Sequence, residues 1–594
     1  MSRPRYIAWI LPHPGWQSHK IDQRIKRATH LLGPDVRTIS AGRLCMVTDC
    51  PAVTSATSQG EVILLGQVFS GLGDTSLTSL KPDACDAILK SAGAALVREF
   101  WGGYVVFVIR GEGSEVCVIR DPSASMPCYY HLQDRVTVIS SDIAIASRCA
   151  DLSLNIDWEE LAVHLQASQL RRAQTCIRGL TELLGGERLS IHAEHPAIDA
   201  VWSPWTFAAR ERQIIDEEHA ASLLRKTIVQ CVRSLTLPYE HMVLTLSGGL
   251  DSSIVAASLS TIGARFTGLT MATQEPLGDE RRYAQVMARA CGAPLVERFE
   301  DMGAVDLTRC DSAHLPRPIS RGFAQSIDRA CQELADEVGA GAFLSGAGGD
   351  NVFCFLLSAA PVADHLRRGE FISALLAARD LGCLGEASVL QVLGKAARRA
   401  WLRRPDFRWR RDFTFLSEQI RNLPLQPLEH HWLTAPRGAA PGKAGHIASI
   451  MNIHNHLEGF AREHERPVIA PLLAQPIVEL CLRIPASSWS RNGRDRWIAR
   501  RAFADRLPHE VLERREKGGP DGFVARLFDH HRKQIRDWLC HGQLAGQGLL
   551  DVQALEMFIH GDGPVIGQKY LCVMKLLDAE MWARSLASRT QVQW

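Results

Sequence analysis

Short apolar runs, rich in β-branched and aromatic residues and separated by turns, dominate the first two hundred positions. Val62 to Phe69 (VILLGQVF), Tyr104 to Arg110 (YVVFVIR) and Val116 to Arg120 (VCVIR) have the length and residue types of strands, which predicts stacked sheets. At Asp216 the period changes. DEEHAASLLRKTIVQCVRSL opens on a capping acid and continues with apolar residues at helical spacing, and HMVLTLS after it reads as a buried strand. Elements then alternate: strand 241–247, helix from Ser252, strand 266–271, helix from Asp279, strand 294–299, helix 322–338 and strand 342–345. Such alternation predicts a doubly wound parallel sheet that binds ligands at the carboxyl ends of its strands. Beyond about residue 360 the pattern is mainly helical. A boundary falls in Pro204 to Arg212, dividing the chain into 1–205 and 206–594.

Length agrees with two domains, since 594 residues exceed what a single growing core supports. Charge adds little: 67 basic against 65 acidic residues leave a net +2, so bulk charge points to neither nucleic acid nor a membrane surface. A basic site must be local, and AARRAWLRRPDFRWRRDF (396–413) is the one such stretch. Sixteen cysteines lie singly, with no C-x-x-C pair, which argues against thiol-based metal or redox chemistry. MSRPRYIAWILPHPGW lacks a signal-peptide core, and no apolar run approaches a membrane span. A reduced, cytoplasmic enzyme is expected.

The sharpest chemical signal is Ser247-Gly248-Gly249-Leu250-Asp251-Ser252-Ser253, between the strand HMVLTL and the helix SSIVAASL. Glycines permit close backbone approach, a helix start offers unsatisfied N–H groups and a positive dipole end, and serines add donors. This predicts a pyrophosphate cradle. It is not a Walker loop, because Asp251 stands where a lysine would be, and an acid beside phosphates requires a divalent cation between them. A second loop, Ser345-Gly346-Ala347-Gly348-Gly349-Asp350, follows the short strand AFL and offers a carboxylate able to share that cation.

Together these loops resemble the asparagine synthetase family, whose synthetase domain carries SGGLDSS and a later S-G-x-G-x-D loop. The likeness continues through GDERRYAQVMARACG (278–292), APLLAQPIVELCLRIP (470–485) and RDRWIARRAFADRLPHEVLERREKGG (494–519). The resemblance implies an ATP-pyrophosphatase synthetase domain behind an N-terminal-nucleophile, αββα glutaminase-like domain. It also implies that Leu246, Met271, Ser345 and Gly346 line adenine and ribose, that Asp251 and Asp350 hold Mg2+, and that Lys517 lies over the reacting phosphate of ATP. By itself Lys517, in the run Arg514-Arg515-Glu516-Lys517, reads as a solvated lysine.

Departures from the family are as informative. Glutamine-dependent members need cysteine after the initiator methionine, and this chain has Ser2. The family's N-G-E-I-Y strand looks replaced by Leu65-Gly66-Gln67-Val68-Phe69, and an apolar Leu65 cannot donate to an oxyanion. An aspartate of the family becomes Trp101, although RDPSASMPCYY (120–130) keeps the pattern R-D-x-x-G-x-x-P-L-Y-Y. The expectation is a degenerate glutaminase scaffold. Position 347 is glutamate in glutamine-dependent asparagine synthetases and tyrosine in β-lactam synthetase, whereas Ala347 can transfer no proton.

An amine already carried by the substrate then suits the branch that resembles lasso peptide cyclases, which join a peptide's N-terminal amine to an Asp or Glu side chain. DSAHLPRPISRGF (311–323) also looks like this branch. Its implied partners are a precursor peptide, a leader-binding element and a leader peptidase. An asparagine synthetase using glutamine or ammonia is the alternative within the same class, and a non-catalytic binding module the alternative outside it. The clustered His430, His431, His454, His456 and His464 lack a zinc-site pattern, and 396–413 reads first as a solvated helix face or connection.

Overall fold

A computed structural model describes all residues except 1–3, 17–18, 74, 112, 134, 193–194, 274–277, 516–517, 562–566 and 592–594. Before residue 201 the strands pair into two six-stranded antiparallel sheets, one holding Tyr6–Ile10 and Val136–Ser140 near its middle, the other Phe100–Arg110 and Glu115–Arg120. Along Phe100–Arg110 alternate side chains take opposite faces. Val105, Phe107 and Ile109 meet Ala8, Ile10, Ile63 and Leu65 between the sheets. Tyr104, Val106 and Val108 instead pack outward on Cys85, Ile88 and Leu89 of the helix Pro82–Lys90. The other sheet turns Trp9, Val47 and Val138 onto Ile21 and Ala28 of the helix His19–Leu32 and Cys149 of Ile143–Ala150. Both faces of both sheets are therefore covered, which is why the strands read as unbroken apolar runs. Each fully buried Val, Ile or Phe contributes roughly 1.5–3 kcal/mol. The layers run helix, sheet, sheet, helix, as the αββα expectation has it.

The helix Glu217–Thr236 starts where Asp216 accepts from the backbone N–H groups of Glu218 and His219 at 2.9 and 3.1 Å. After it, five strands form a parallel sheet ordered Leu295–Phe299, Phe266–Ala272, Met242–Thr245, Ala342–Leu344, Val468–Ile469. The first three in the chain build outward to one side and the last two to the other. The order thus reverses between Met242–Thr245 and Ala342–Leu344, and a doubly wound sheet has its ligand crevice beyond the strand ends at such a reversal. The helix expected over 322–338 begins with one tight turn, Gly322–Ala324, and becomes α-helical over Gln325–Val338.

Several contacts tie the two parts together. Trp202 donates to Glu479 and Trp205 to the carbonyl of Trp432, each at 2.8 Å, so the segment around the expected boundary is anchored. Leu161 and Ile177 share a core with Leu527 and Trp582 of the C-terminal helices. Deeper still, the buried Glu182 binds three guanidinium groups: Arg120 and Arg317 at 2.6 Å and Arg171 at 2.5 Å. Glu458 pairs with Arg171 at 3.2 Å and also with Arg317. Burial alone would raise the carboxyl pKa of Glu182, but Arg171, Arg317 and Arg120 outweigh it and hold the group ionised.

Candidate active site

Both glycine loops emerge at the reversal of the parallel sheet. The first leaves Met242–Thr245 and enters the helix Leu250–Thr261 at Gly249, which has no side chain to cap the first-turn N–H groups. Ser247 accepts from the Gly249 N–H, and Ser252 donates to the Gly249 carbonyl, each at 3.2 Å. Gly248 sits at φ +66°, and a Cβ there would come within 2.3 Å of the Tyr283 backbone. The second loop packs directly on the first. A Cβ on Gly346 would meet the Ser252 nitrogen at 2.4 Å, and one on Gly349 would meet the Asp251 carboxyl carbon at 2.3 Å. These glycines bring one loop onto the other rather than only making room for phosphate.

Between the loops lies a cavity of about 300 Å³ lined by Leu246, Ser247, Gly249, Asp251 and Ser252 from one side and Met271, Ser345 and Gly346 from the other. Most residues singled out in the sequence meet here. Gly248 and Ser253 do not line the cavity: Gly248 faces the helix Arg281–Cys291, and Ser253 is fully buried with a hydroxyl that has no hydrogen-bond partner among the described residues. Asp350 is also outside the lining, but it joins Asp251 through a third residue. The Arg496 guanidinium stands 3.1 Å from both carboxylate oxygens of Asp251 and bonds Asp350 as well.

Arg496 was invisible to motif reading. It starts the short helix Trp497–Ala502 in the left-handed region, φ +49°, a costly conformation for a side chain of its size. Asp495 holds it at 2.9 Å and holds Arg500 at 2.6 Å, so a chain of charges leads into the site. Burial would lower the pKa of Arg496, and the carboxylates of Asp251, Asp350 and Asp495 more than offset that, so the shift is upward. Two carboxylates that already converge on one cation are a donor set that fits a divalent metal. Arg514 donates to the Ser247 carbonyl at 3.0 Å and to Glu280 at 2.6 Å, while Arg515 lines the cavity. Lys517 lies outside the described residues, as do Ser2 and the segment 274–277 that follows Met271 and Thr273. The Gly518 N–H donates to Glu280 at 3.2 Å, so the residues on either side of 516–517 share one anchor at the rim.

The asparagine synthase family model matches residues 223–584, more than half of the chain. The chain belongs to the asparagine synthase family. An asparagine synthase domain makes it an ATP-dependent carbon–nitrogen ligase that forms AMP and pyrophosphate, and amide-bond formation is its general chemistry. Turnover should accordingly release AMP and pyrophosphate in equal amounts, read by ion-exchange chromatography; ADP as the main product would contradict the assignment. No curated protein matches the chain. Among solved structures, glutamine phosphoribosylpyrophosphate amidotransferase from B. subtilis, complexed with ADP and GMP, is 11% identical over 57% of this chain and 90% of that chain, with a TM-score of 0.22. An allosteric regulatory enzyme of purine biosynthesis is 12% identical over 57% of this chain and 89% of that chain, with a TM-score of 0.24. Likeness this slight carries no argument.

The asparagine synthase domain meets the first two sheets at a second cavity, of about 310 Å³. Ser345 and Ala347 border both cavities, and Gly66, Gln67, Trp101 and Met126 close the far end of the second. Leu65 is not among them: it is buried between the sheets, so the apolar residue at that position serves the core. Trp101 stacks on Phe69, ring centroids 4.6 Å apart, and fills space beside Gly102 and Gly103. The histidines singled out in the sequence are largely in packing roles. His430 and His431 stack at 5.0 Å, Trp432 lies edge-on to both and to His454, and burial pushes the pKa of His454 down to about 3.

Proposed function

We propose that this ligase closes a macrolactam, joining a precursor peptide's N-terminal amine to an Asp or Glu side chain as lasso peptide cyclases do. The observation that carries the reading is Ala347, a methyl group at the junction of the nucleotide cavity and the cavity reaching Gly66 and Trp101. A side chain that neither donates nor accepts a proton suits an amine delivered by the substrate itself. Leader-binding and leader-cleaving partners would belong to the same reading. The first 205 residues act here as a glutaminase-like scaffold without glutaminase chemistry.

In this mechanism the substrate carboxylate attacks the α-phosphate of ATP, giving an acyl adenylate and pyrophosphate, and the amine then displaces AMP. Ser247 and the N–H groups at the start of Leu250–Thr261 orient the phosphates, while Leu246, Met271, Ser345 and Gly346 enclose the nucleoside. Asp251 and Asp350 would hold Mg2+, which when bound neutralises phosphate charge. Lys517 stabilises charge on the reacting phosphate. The test is mass spectrometry of precursor peptides incubated with enzyme and ATP, expecting loss of one water with AMP release. Asparagine formed from aspartate and ammonia, with peptides left unchanged, would overturn the reading in favour of an asparagine synthetase.

Glutamine should not be hydrolysed, because Ser2 replaces the required cysteine and Leu65 offers no oxyanion donor. Glutamate release measured with and without enzyme checks this. A rate clearly above the blank would show a working glutaminase.

A further inference from the structure

The basic stretch 396–413 has no part in the site described so far. Its first residues complete the helix Val389–Trp401, and Leu402 to Arg410 then run without regular structure along one wall of a cavity of about 870 Å³. The opposite wall is the helix Pro441–His454, through Gly445, Ala448, Ser449 and Asn452. Arg399 spends its guanidinium on the carbonyls of Pro405 and Asp406, both at 2.9 Å, which folds the turn between them. Arg403, Arg404, Arg408 and Arg410 line the cavity, and among the described residues none of the four has a carboxylate within ion-pair distance. Asp406 is the single acid in a lining that holds five arginines. In a chain whose net charge is only +2, that concentration of unpaired positive charge in a concave site is a local feature in need of a counter-charge.

Position says what the counter-charge belongs to. Asn351, adjacent to Asp350, donates to the carbonyl and hydroxyl of Ser449 at 2.7 and 3.1 Å, and Ser449 lines the basic cavity. Leu356 lines it too, one residue beyond Phe355, whose ring lies 5.7 Å from the Arg496 guanidinium. The cavity therefore begins beside the segment that carries a phosphate-side carboxylate of the ligase. Phe407 and Trp409 meet edge to face at 5.7 Å, an arrangement that receives an apolar side chain but offers no open ladder of parallel rings for successive bases.

We propose that this cavity binds an acidic segment of the peptide on which the ligase acts, next to the residue whose carboxylate is activated. The proposal rests on the peptide-ligase reading. Each arginine contributes modestly, as partly exposed ion pairs do, and together they set which peptides are held and in which direction they lie. Such binding weakens as salt is added.

The experiment is fluorescence anisotropy of full-length enzyme with fluorescein-labelled deca-glutamate, without turnover. Wild type should bind, raised sodium chloride should weaken binding, and the combined substitution R403A/R404A/R408A/R410A should weaken it roughly 10- to 100-fold. A fluorescent ATP analogue should bind that variant as it binds wild type, which shows that the fold is kept; the single variant R408E should fall between the two and serves if the combined one does not fold. Equal deca-glutamate binding by wild type and variants, or none by wild type, would overturn the proposal. Tighter binding of a single-stranded RNA of matched charge would overturn it in favour of a nucleic-acid partner. Failure of the ligase reading shows elsewhere, in the nucleotide products and in unchanged peptide mass.

Discussion

Lys517→Ala is expected to lower AMP release by roughly 10²–10³-fold while ATP binding stays close to wild type. The expectation joins the family resemblance to the rim geometry. Arg514 and Gly518 both bond Glu280, and Arg515 lines the cavity between the two glycine loops, so the residues flanking 516–517 are anchored at its rim. In the proposed mechanism ground-state contacts to ATP would come mainly from the loop amides, the serines and a cation held by the carboxylates, which the substitution leaves alone. The lost interaction is one with charge that grows during reaction. Lys517→Arg should rescue poorly, since a planar fork does not replace a compact ammonium. AMP chromatography beside a titration with a fluorescent ATP analogue reads both quantities. Near-normal AMP release by the alanine variant would return Lys517 to the status of a solvated lysine.

Arg496→Met should make the enzyme responsive to magnesium alone. In the structure the Arg496 guanidinium occupies the point where Asp251 and Asp350 converge, so a divalent cation bound there would compete with this side chain for the same oxygens. Removing it takes a shared cation away from two neighbouring carboxylates. One partner of a buried ion pair is worth about 3–5 kcal/mol when deleted, and because the Asp350 side chain is 34% exposed the loss here should be about 2–4 kcal/mol. Thermal unfolding without nucleotide should therefore fall in the variant and recover on adding Mg2+, with little change in wild type. Mn2+ binding followed by electron paramagnetic resonance gives a second readout. A variant as stable as wild type and indifferent to both cations would show that Arg496 does not stand in for the metal.

The fold was legible where local pattern and tertiary environment agree. Alternation of Met242–Thr245, Leu250–Thr261 and Phe266–Ala272 was plain, and the doubly wound sheet expected from it has its strand-order reversal where both loops emerge, between Met242–Thr245 and Ala342–Leu344. Asp251 was legible because its loop has a fixed spacing. Arg496 was not, because the contact that matters spans 245 residues and its positive φ leaves no mark on composition. Leu65 shows the converse. Its chemistry was read correctly as apolar, yet the residue faces the core between the sheets, since on a strand buried on both faces no periodicity tells which side is which. The basic stretch 396–413 was seen but not placed, because a solvated connection and a cavity wall have the same residues in one dimension.

The charge cluster on Glu182 has a consequence for what this lineage can discard. Three of its members, Arg120, Arg171 and Glu182, come from the first 205 residues, and Arg317 and Glu458 come from the rest. Excising the early part would strip Arg317 of Glu182, leaving it Glu458 alone, strip Glu458 of Arg171, and bare Leu527 and Trp582 where Leu161 and Ile177 cover them. The cavity around Gly66 and Trp101 reaches that joint, since Arg171 and Glu458 line it as well. The asparagine synthase domain is thus tied to its neighbour by charge and by shared core, whatever chemistry that neighbour performs.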